Sequence, residues 1–153
     1  MSLSRAVHGR GGFTVMETLT AVSIGLVLLS MTVRSLSPVQ ERTALRSAEQ
    51  AFRGLVARTR AQAIERGEDA VLRLDAAGDS AWIVRGTQRV EGFAFDSELA
   101  VDVQTNVPVV ICMTPRGVAD PTCGTNAVMT ILFQRGGASS AIQVLPLGQI
   151  LGS

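Results

Sequence analysis

Hydrophobic and polar positions along the chain fall into three regimes. Residues 13–33, FTVMETLTAVSIGLVLLSMTV, form an apolar run with a single charge, Glu17, and Arg34 closes it. At about 1.5 Å per residue the run reaches roughly 30 Å, the hydrocarbon thickness of a bilayer. From Val39 to Arg66 the apolar positions return at three- and four-residue intervals: Leu45, Ala48, Phe52, Leu55, Thr59 and Gln62, widened by Ala44, Ala51, Val56 and Ala63. That spacing predicts an amphipathic helix, with Gly67 as its stop and a kink or brief break at Pro38. After Gly67 the period changes. Ala70–Leu74, Ala81–Arg85, Arg89–Phe95, Leu99–Val103, Val107–Met113, Val128–Phe133, Ala141–Leu145 and Gln149–Leu151 read as strands between Gly-, Pro- and Asp-rich turns. The pattern predicts an α+β chain. One long helix, half in a membrane and half amphipathic, packs on an antiparallel β-sheet or sandwich body. The organisation is a polar leader over 1–12, an apolar helix over 13–37, an amphipathic helix over 38–67 and a β-rich body over 68–153.

Composition sharpens this picture at a few points. The chain has 153 residues, 46% of them hydrophobic and 18% charged, so one domain with a real core is expected. Mean hydropathy is +0.30, and the apolar run accounts for much of it. Net charge is +1, which argues against a globally basic nucleic-acid binder. All basic residues are arginine, so Schiff-base and P-loop lysine chemistry is excluded. His8 is the sole histidine. The leader MSLSRAVHGRGG carries Arg5 and Arg10, and the positive-inside rule keeps that end cytoplasmic and exports the body. No A-x-A-like cleavage pattern follows the apolar run, which fits an anchor better than an ordinary secretory signal. Glu17 is the oddity. A carboxylate at mid-membrane costs about 2.5–3.5 kcal/mol on insertion scales. It is either an interfacial acid that snorkels or an intramembrane acid that requires a cationic partner.

Gly12-Phe13-Thr14-Val15-Met16-Glu17-Thr18-Leu19 resembles the type IV prepilin signal: glycine, aromatic, and an acid at the fifth position after the glycine. The resemblance implies that a prepilin peptidase cuts between Gly12 and Phe13 and methylates the new amine of Phe13. It implies that Glu17 pairs with the terminal amine of a neighbouring subunit during assembly. The pairing is physically reasonable, because a buried acid and a buried amine offset each other's desolvation. Leaving with the leader, Arg5 and Arg10 would take the net side-chain charge from +1 to −1, and His8 would go with them. The rest of the chain is similar to the GspH/FimT-like minor pilins and pseudopilins. The stretches that carry this are Leu55 to Gly67, Val71-Leu72-Arg73-Leu74, Trp82-Ile83-Val84, Ile131 to Ala138, and Leu147-Gly148-Gln149-Ile150. The implied partners are other pilins or pseudopilins through the N-terminal helix, the peptidase, an inner-membrane assembly platform and membrane lipid. The implied role is a minor subunit that primes or adjusts a type IV pilus or a type II secretion pseudopilus.

Other chemistry is sparse. Cys112 and Cys123 lie in the exported part and are read as a disulfide, with free thiols as the alternative. Arg46, Arg53 and Arg60 recur every seven residues, either as a phosphate-tracking stripe or as a solvated helix face. Asp69, Asp75, Asp79, Asp96, Glu98 and Asp102 lack EF-hand spacing and read as solvated turns, although calcium is conceivable. Ser139 and Ser140 have no activating partner, and Trp82 is expected in the core. No enzyme, cofactor or metal site is expected. The rival readings are a DNA-binding minor pilin, weakened by the absence of Arg and Lys from residues 136–153, and an anchored binding domain that does not polymerise.

Overall fold

The computed structural model describes residues 14–152, with residues 29–36 in backbone only. The chain divides into two compact units, Met1–Ser37 and Pro38–Ser153. Helix α1, Val15–Arg66, contributes to both. Its start is capped by Thr14, whose hydroxyl oxygen accepts the Glu17 N–H at 3.3 Å. Thr14 and Glu17 stand in the S/T-x-x-E spacing of a capping box, and the Glu17 charge suits the positive helix end. At the other end Arg66 sits in the last turn. Gly67 follows with φ +67°, its N–H donating to the Ala63 carbonyl at 3.0 Å. Glycine adopts that left-handed conformation without steric cost. Pro38 lies inside α1, and the helix is assigned through it without the break expected there. One missing N–H removes a single hydrogen bond, which the rest of a 52-residue helix sustains.

In the first unit, Val15, Met16, Leu19, Val22, Ile24, Leu26, Val27 and Leu28 are all more than half exposed. The hydroxyls diluting this surface bond within the helix. Thr18 donates to the Val15 carbonyl at 2.8 Å, Thr20 to Met16 at 3.0 Å, and Ser23 to Leu19 at 2.8 Å. The helix surface therefore presents few unsatisfied polar groups. Among the described residues no helix is long and apolar enough to cross a membrane; the side chains of 29–36, which include the last five residues of the apolar run, lie outside them.

The second unit is the body. Strands β1 (Ala70–Asp75), β2 (Ser80–Arg85), β3 (Gln88–Ala94) and β5 (Val109–Met113) form one antiparallel sheet in the order β3-β2-β1-β5. Strands β4 (Asp102–Thr105), β6 (Met129–Arg135), β7 (Ala138–Val144) and β8 (Ile150–Gly152) form a second, in the order β4-β6-β7-β8. The alternation read from the sequence sets which side chains go inward. Ala70, Leu72 and Leu74 are buried on β1, Ala81 and Ile83 on β2, and Met129, Ile131 and Phe133 on β6. They join the buried apolar face of α1, which is Ala44, Leu45, Ala48, Phe52, Leu55, Val56 and Ala63, in one core. Burying a side chain such as Phe52 or Leu72 contributes about 1.5–3 kcal/mol. Thr59 is the one buried polar residue of the described core, and its hydroxyl donates to the Leu55 carbonyl at 2.7 Å.

Two expectations fail in the body. The strand read over Leu99–Val103 forms later, as β4 from Asp102, and a short helix α2, Phe95–Leu99, which the sequence reading did not include, takes Leu99 and precedes it. Phe95 is fully buried against Phe93 and Phe133, with ring centroids 5.0 and 5.6 Å apart. Ala100 takes φ +51° to end the helix, its N–H bonding the Asp96 carbonyl. Five residues do not hold a helix by propensity alone; the buried ring anchors it. Trp82, expected in the core, lies half-buried on the sheet face opposite Ala81 and Ile83. The Arg89 guanidinium stacks over its ring at 3.9 Å, a cation–π contact that takes up the exposed aromatic surface.

Candidate functional site

Two regions carry the sequence-predicted chemistry. The first is the helix start. Gly12 and Phe13, where cleavage and N-methylation are expected, lie outside the described residues. Glu17 occupies the first turn of α1 and is exposed, between the exposed side chains of Met16 and Leu19. In the described residues its carboxylate has no cationic partner. The geometry therefore offers an acid on an apolar helix surface, four residues after Phe13. The capping-box spacing of Thr14 and Glu17 is a local role that the sequence signals and that the pilin-type reading overlooked.

The second region is the loop after β5. Cys112 and Cys123 form a disulfide with Cα atoms 5.9 Å apart, so the free-thiol alternative does not hold. Cys112 is buried and Cys123 exposed. The loop they close folds back on β5. Thr114 N–H bonds the Val118 carbonyl at 3.0 Å, Asp120 N–H the Cys112 carbonyl at 2.8 Å, and Thr125 N–H the Val110 carbonyl at 2.8 Å. The Thr125 hydroxyl donates to the Pro108 carbonyl at 2.6 Å. Strand β5 is an edge of its sheet, and this loop covers part of that edge. Gly124 permits the approach, since a Cβ there would lie 2.6 Å from the Val110 carbonyl oxygen. The Asp120 carboxylate accepts from the Thr122 hydroxyl at 2.7 Å and its N–H at 2.8 Å, and these donors hold its pKa below the usual carboxylate value.

The acidic residues sort differently from their sequence order. Asp79, Asp96 and Asp102 come together although they come from three elements. Asp79 Oδ1 accepts the Val103 N–H at 2.6 Å and its carbonyl accepts the Phe95 N–H at 2.7 Å, pinning β4 and α2 to the β1–β2 turn. Its pKa is raised, first by partial burial, then by the charges of Asp102 and Asp96, against the lowering by the Val103 N–H. Among the described residues no group of three or more His, Cys, Asp or Glu is placed to hold a metal ion. The arginine stripe is dispersed. Arg46 lines a cleft with Ser139 and Ser140, Arg53 lies against Gly152, and Arg60 against Gly117. Arg58, outside that series, pairs with Glu91 of β3.

Within the second unit, a helix packed on an antiparallel body is the architecture that decides the comparison. No family model matches the chain, and no curated protein sequence matches it. Solved structures do. Two crystal forms of the type IV minor pilin FimU from Pseudomonas aeruginosa superpose with TM-scores of 0.55 and 0.52. The first aligns 73% of this chain with 90% of that protein at 14% identity, the second 71% with 92% at 13%. The fold is pilin-like. At these identities the likeness is one of backbone arrangement. The pilin-like fold places the helix and body of this chain in the same relation of elements that the sequence period predicts for residues 38–152.

Proposed function

We propose that this chain is a non-enzymatic structural subunit of a type IV filament machine, a minor pilin or pseudopilin of the GspH/FimT type. One combination carries the reading. A pilin-like body follows an exposed apolar helix, and in the sequence Gly12, Phe13 and Glu17 stand in the register of a prepilin signal. In this reading the peptidase cuts after Gly12 and methylates Phe13. Residues 13–37 hold the subunit in the inner membrane with the body outside the cytoplasm. The same residues then pack among neighbouring helices, where the Glu17 carboxylate pairs with a neighbour's terminal amine. Internally bonded Thr18, Thr20 and Ser23 support both environments, because neither lipid nor a packed helix bundle has to satisfy their hydroxyls.

The test combines intact mass with filament recovery. Protein extracted from membranes should have lost residues 1–12 and gained one methyl group, and should copurify with sheared filaments or crosslink to other pilins. A mature mass that still includes residues 1–12 removes the cleavage step. A processed chain that never crosslinks to a pilin leaves only an anchored domain and overturns the assembly role.

A further inference from the structure

The chain has five prolines, and one of them, Pro121, follows an acid. Its nitrogen belongs to a tertiary amide and carries no hydrogen. Such a nitrogen is more basic than an ordinary peptide nitrogen and leaves more readily once protonated. The aspartate before it can reach its own carbonyl carbon, because attack by the carboxylate closes a five-membered ring. The Asp120–Pro121 bond lies inside the loop closed by Cys112 and Cys123, and that loop fixes both reacting groups.

The Asp120 side chain is held at one oxygen. Oδ1 accepts the Thr122 N–H at 2.8 Å and the Thr122 hydroxyl at 2.7 Å. Oδ2 has no partner among the described residues. The two donors favour the charged form, so the carboxylate stays ionised further into acid than an ordinary aspartate. The peptide unit under attack is held as well. Asp120 N–H donates to the Cys112 carbonyl at 2.8 Å, and the Asp120 carbonyl accepts the Gly124 N–H at 3.1 Å. A donor on that oxygen stabilises the negative charge that forms there when the carbon is attacked. Few other charges bear on the group. Arg116 lines the same groove, Arg60 of α1 lies against Gly117, and neither β5 nor residues 145–149 carry a charge.

We propose that Asp120 cuts its own peptide bond to Pro121 in acid, which makes this loop a self-processing site. Oδ2 attacks the Asp120 carbonyl carbon, and the C–N bond to Pro121 breaks as its nitrogen takes a proton from the acidic solvent. The products are a cyclic anhydride on Asp120 and a free proline amine. Water then opens the anhydride to two carboxyl groups, so the net change is the addition of one water across the bond. Thr122 is a positioning residue. It keeps the carboxylate within reach of the carbon, where a mobile chain would meet that geometry only by chance. Both pieces stay joined after the cut, because Cys112 and Cys123 lie on either side of it. The loop opens while the body keeps its strands. The step does not depend on the filament role.

The test holds the full oxidised chain at pH 3.8, the ordinary aspartate value, and at a series of higher pH values, folded or in guanidinium chloride. Circular dichroism records the fold, and intact mass is measured before and after reduction. The folded chain should gain the mass of one water without reduction. On reduction it should yield pieces ending at Asp120 and beginning at Pro121. It should do so about tenfold faster or more than the unfolded chain. Asp120→Ala should abolish the cut, and Pro121→Ala should slow it sharply. Thr122→Val keeps the backbone donor and loses the hydroxyl. It should slow the cut in the folded chain only and move the turning point of the pH profile upward. Equal or faster cutting in the unfolded chain overturns the proposal. So does a body that unfolds in acid and is nicked only then, because the cut belongs in that case to the bare dipeptide. Cutting that persists in Asp120→Ala overturns self-processing. A Thr122 variant with the parent's rate and profile overturns the positioning role.

Discussion

Breaking the Cys112–Cys123 bridge gives the sharpest test of how the body is held. The cysteines are 11 residues apart in sequence. On the chain-entropy model, a cross-link over a loop of that size removes about 3 kcal/mol of freedom from the unfolded chain. For a body of this size each kcal/mol shifts the melting temperature by a few degrees, so reduction should lower it by roughly 10–15 °C. Cys123 is exposed, so a reductant reaches the bond in the folded protein. Reduction leaves the buried Cys112 sulfur in place, whereas replacing both cysteines by alanine also removes packing and should cost about 1 kcal/mol more. The loop keeps its own hydrogen bonds to the Cys112, Val110 and Pro108 carbonyls after reduction. The destabilisation should therefore be global. Thermal melts by circular dichroism give its size, and hydrogen exchange gives its distribution. Gly124 and Thr125 amides should lose protection in step with the core amides of β6. A shift below about 3 °C, or loss of protection confined to residues 114–125, would refute the reasoning and make the bridge a local clamp.

The other expectations are independent of it. Glu17→Ala should leave membrane integration intact and lower incorporation into filaments; normal recovery in sheared filaments would remove Glu17 from assembly. Gly124→Ala drives a Cβ against the Val110 carbonyl oxygen and should cost about 1–3 kcal/mol, read as a lowered melting temperature. Phe52→Ala empties a fully buried ring site on α1 and should cost about 3–5 kcal/mol, measured by denaturant titration. Asp79 has a raised pKa in the folded state, so its contribution is fully present below the ordinary value of 3.8 and is lost as pH rises through the higher folded value. Asp79→Asn keeps an acceptor for the Val103 N–H and drops the charge. It should melt at or above the parent temperature near neutral pH, and the difference should vanish in acid; a variant destabilised equally at all pH would contradict this.

How much of the fold was legible follows from the range of the forces involved. The buried face of α1 was readable because a helix repeats every 3.6 residues, so Leu45, Ala48, Phe52, Leu55 and Ala63 announce one side before any partner is known. The end at Gly67 was readable because a glycine is the cheapest residue at a left-handed cap. The strand count is readable from alternation and turn residues, with boundaries off by a few positions; β7 begins at Ala138, three residues before the alternation shows it, with Ser139 and Ser140 paired to Gln134 and Phe133. The start of β4 differs from the sequence reading at Leu99. Apolar alternation suits a strand there, and only the burial of Phe95 between Phe93 and Phe133 makes α2 preferable ahead of Asp102. Trp82 was misplaced for a similar reason. Strand alternation fixes that Ala81 and Ile83 share a face, but which face meets α1 depends on the whole sheet.

The candidate site divides along the same line. Gly12, Phe13, Glu17 and the apolar run are a local pattern, contiguous in the chain, and the sequence alone determined it. So were the two cysteines as candidates for a bridge. Their pairing, the cluster of Asp79 with Asp96 and Asp102, and the cleft that sets Arg42 and Arg46 opposite Ser139 join residues far apart in the chain. Tertiary structure decided those, because a contact between distant residues depends on how two sheets and a helix close around one core, and no periodicity in a single segment encodes it.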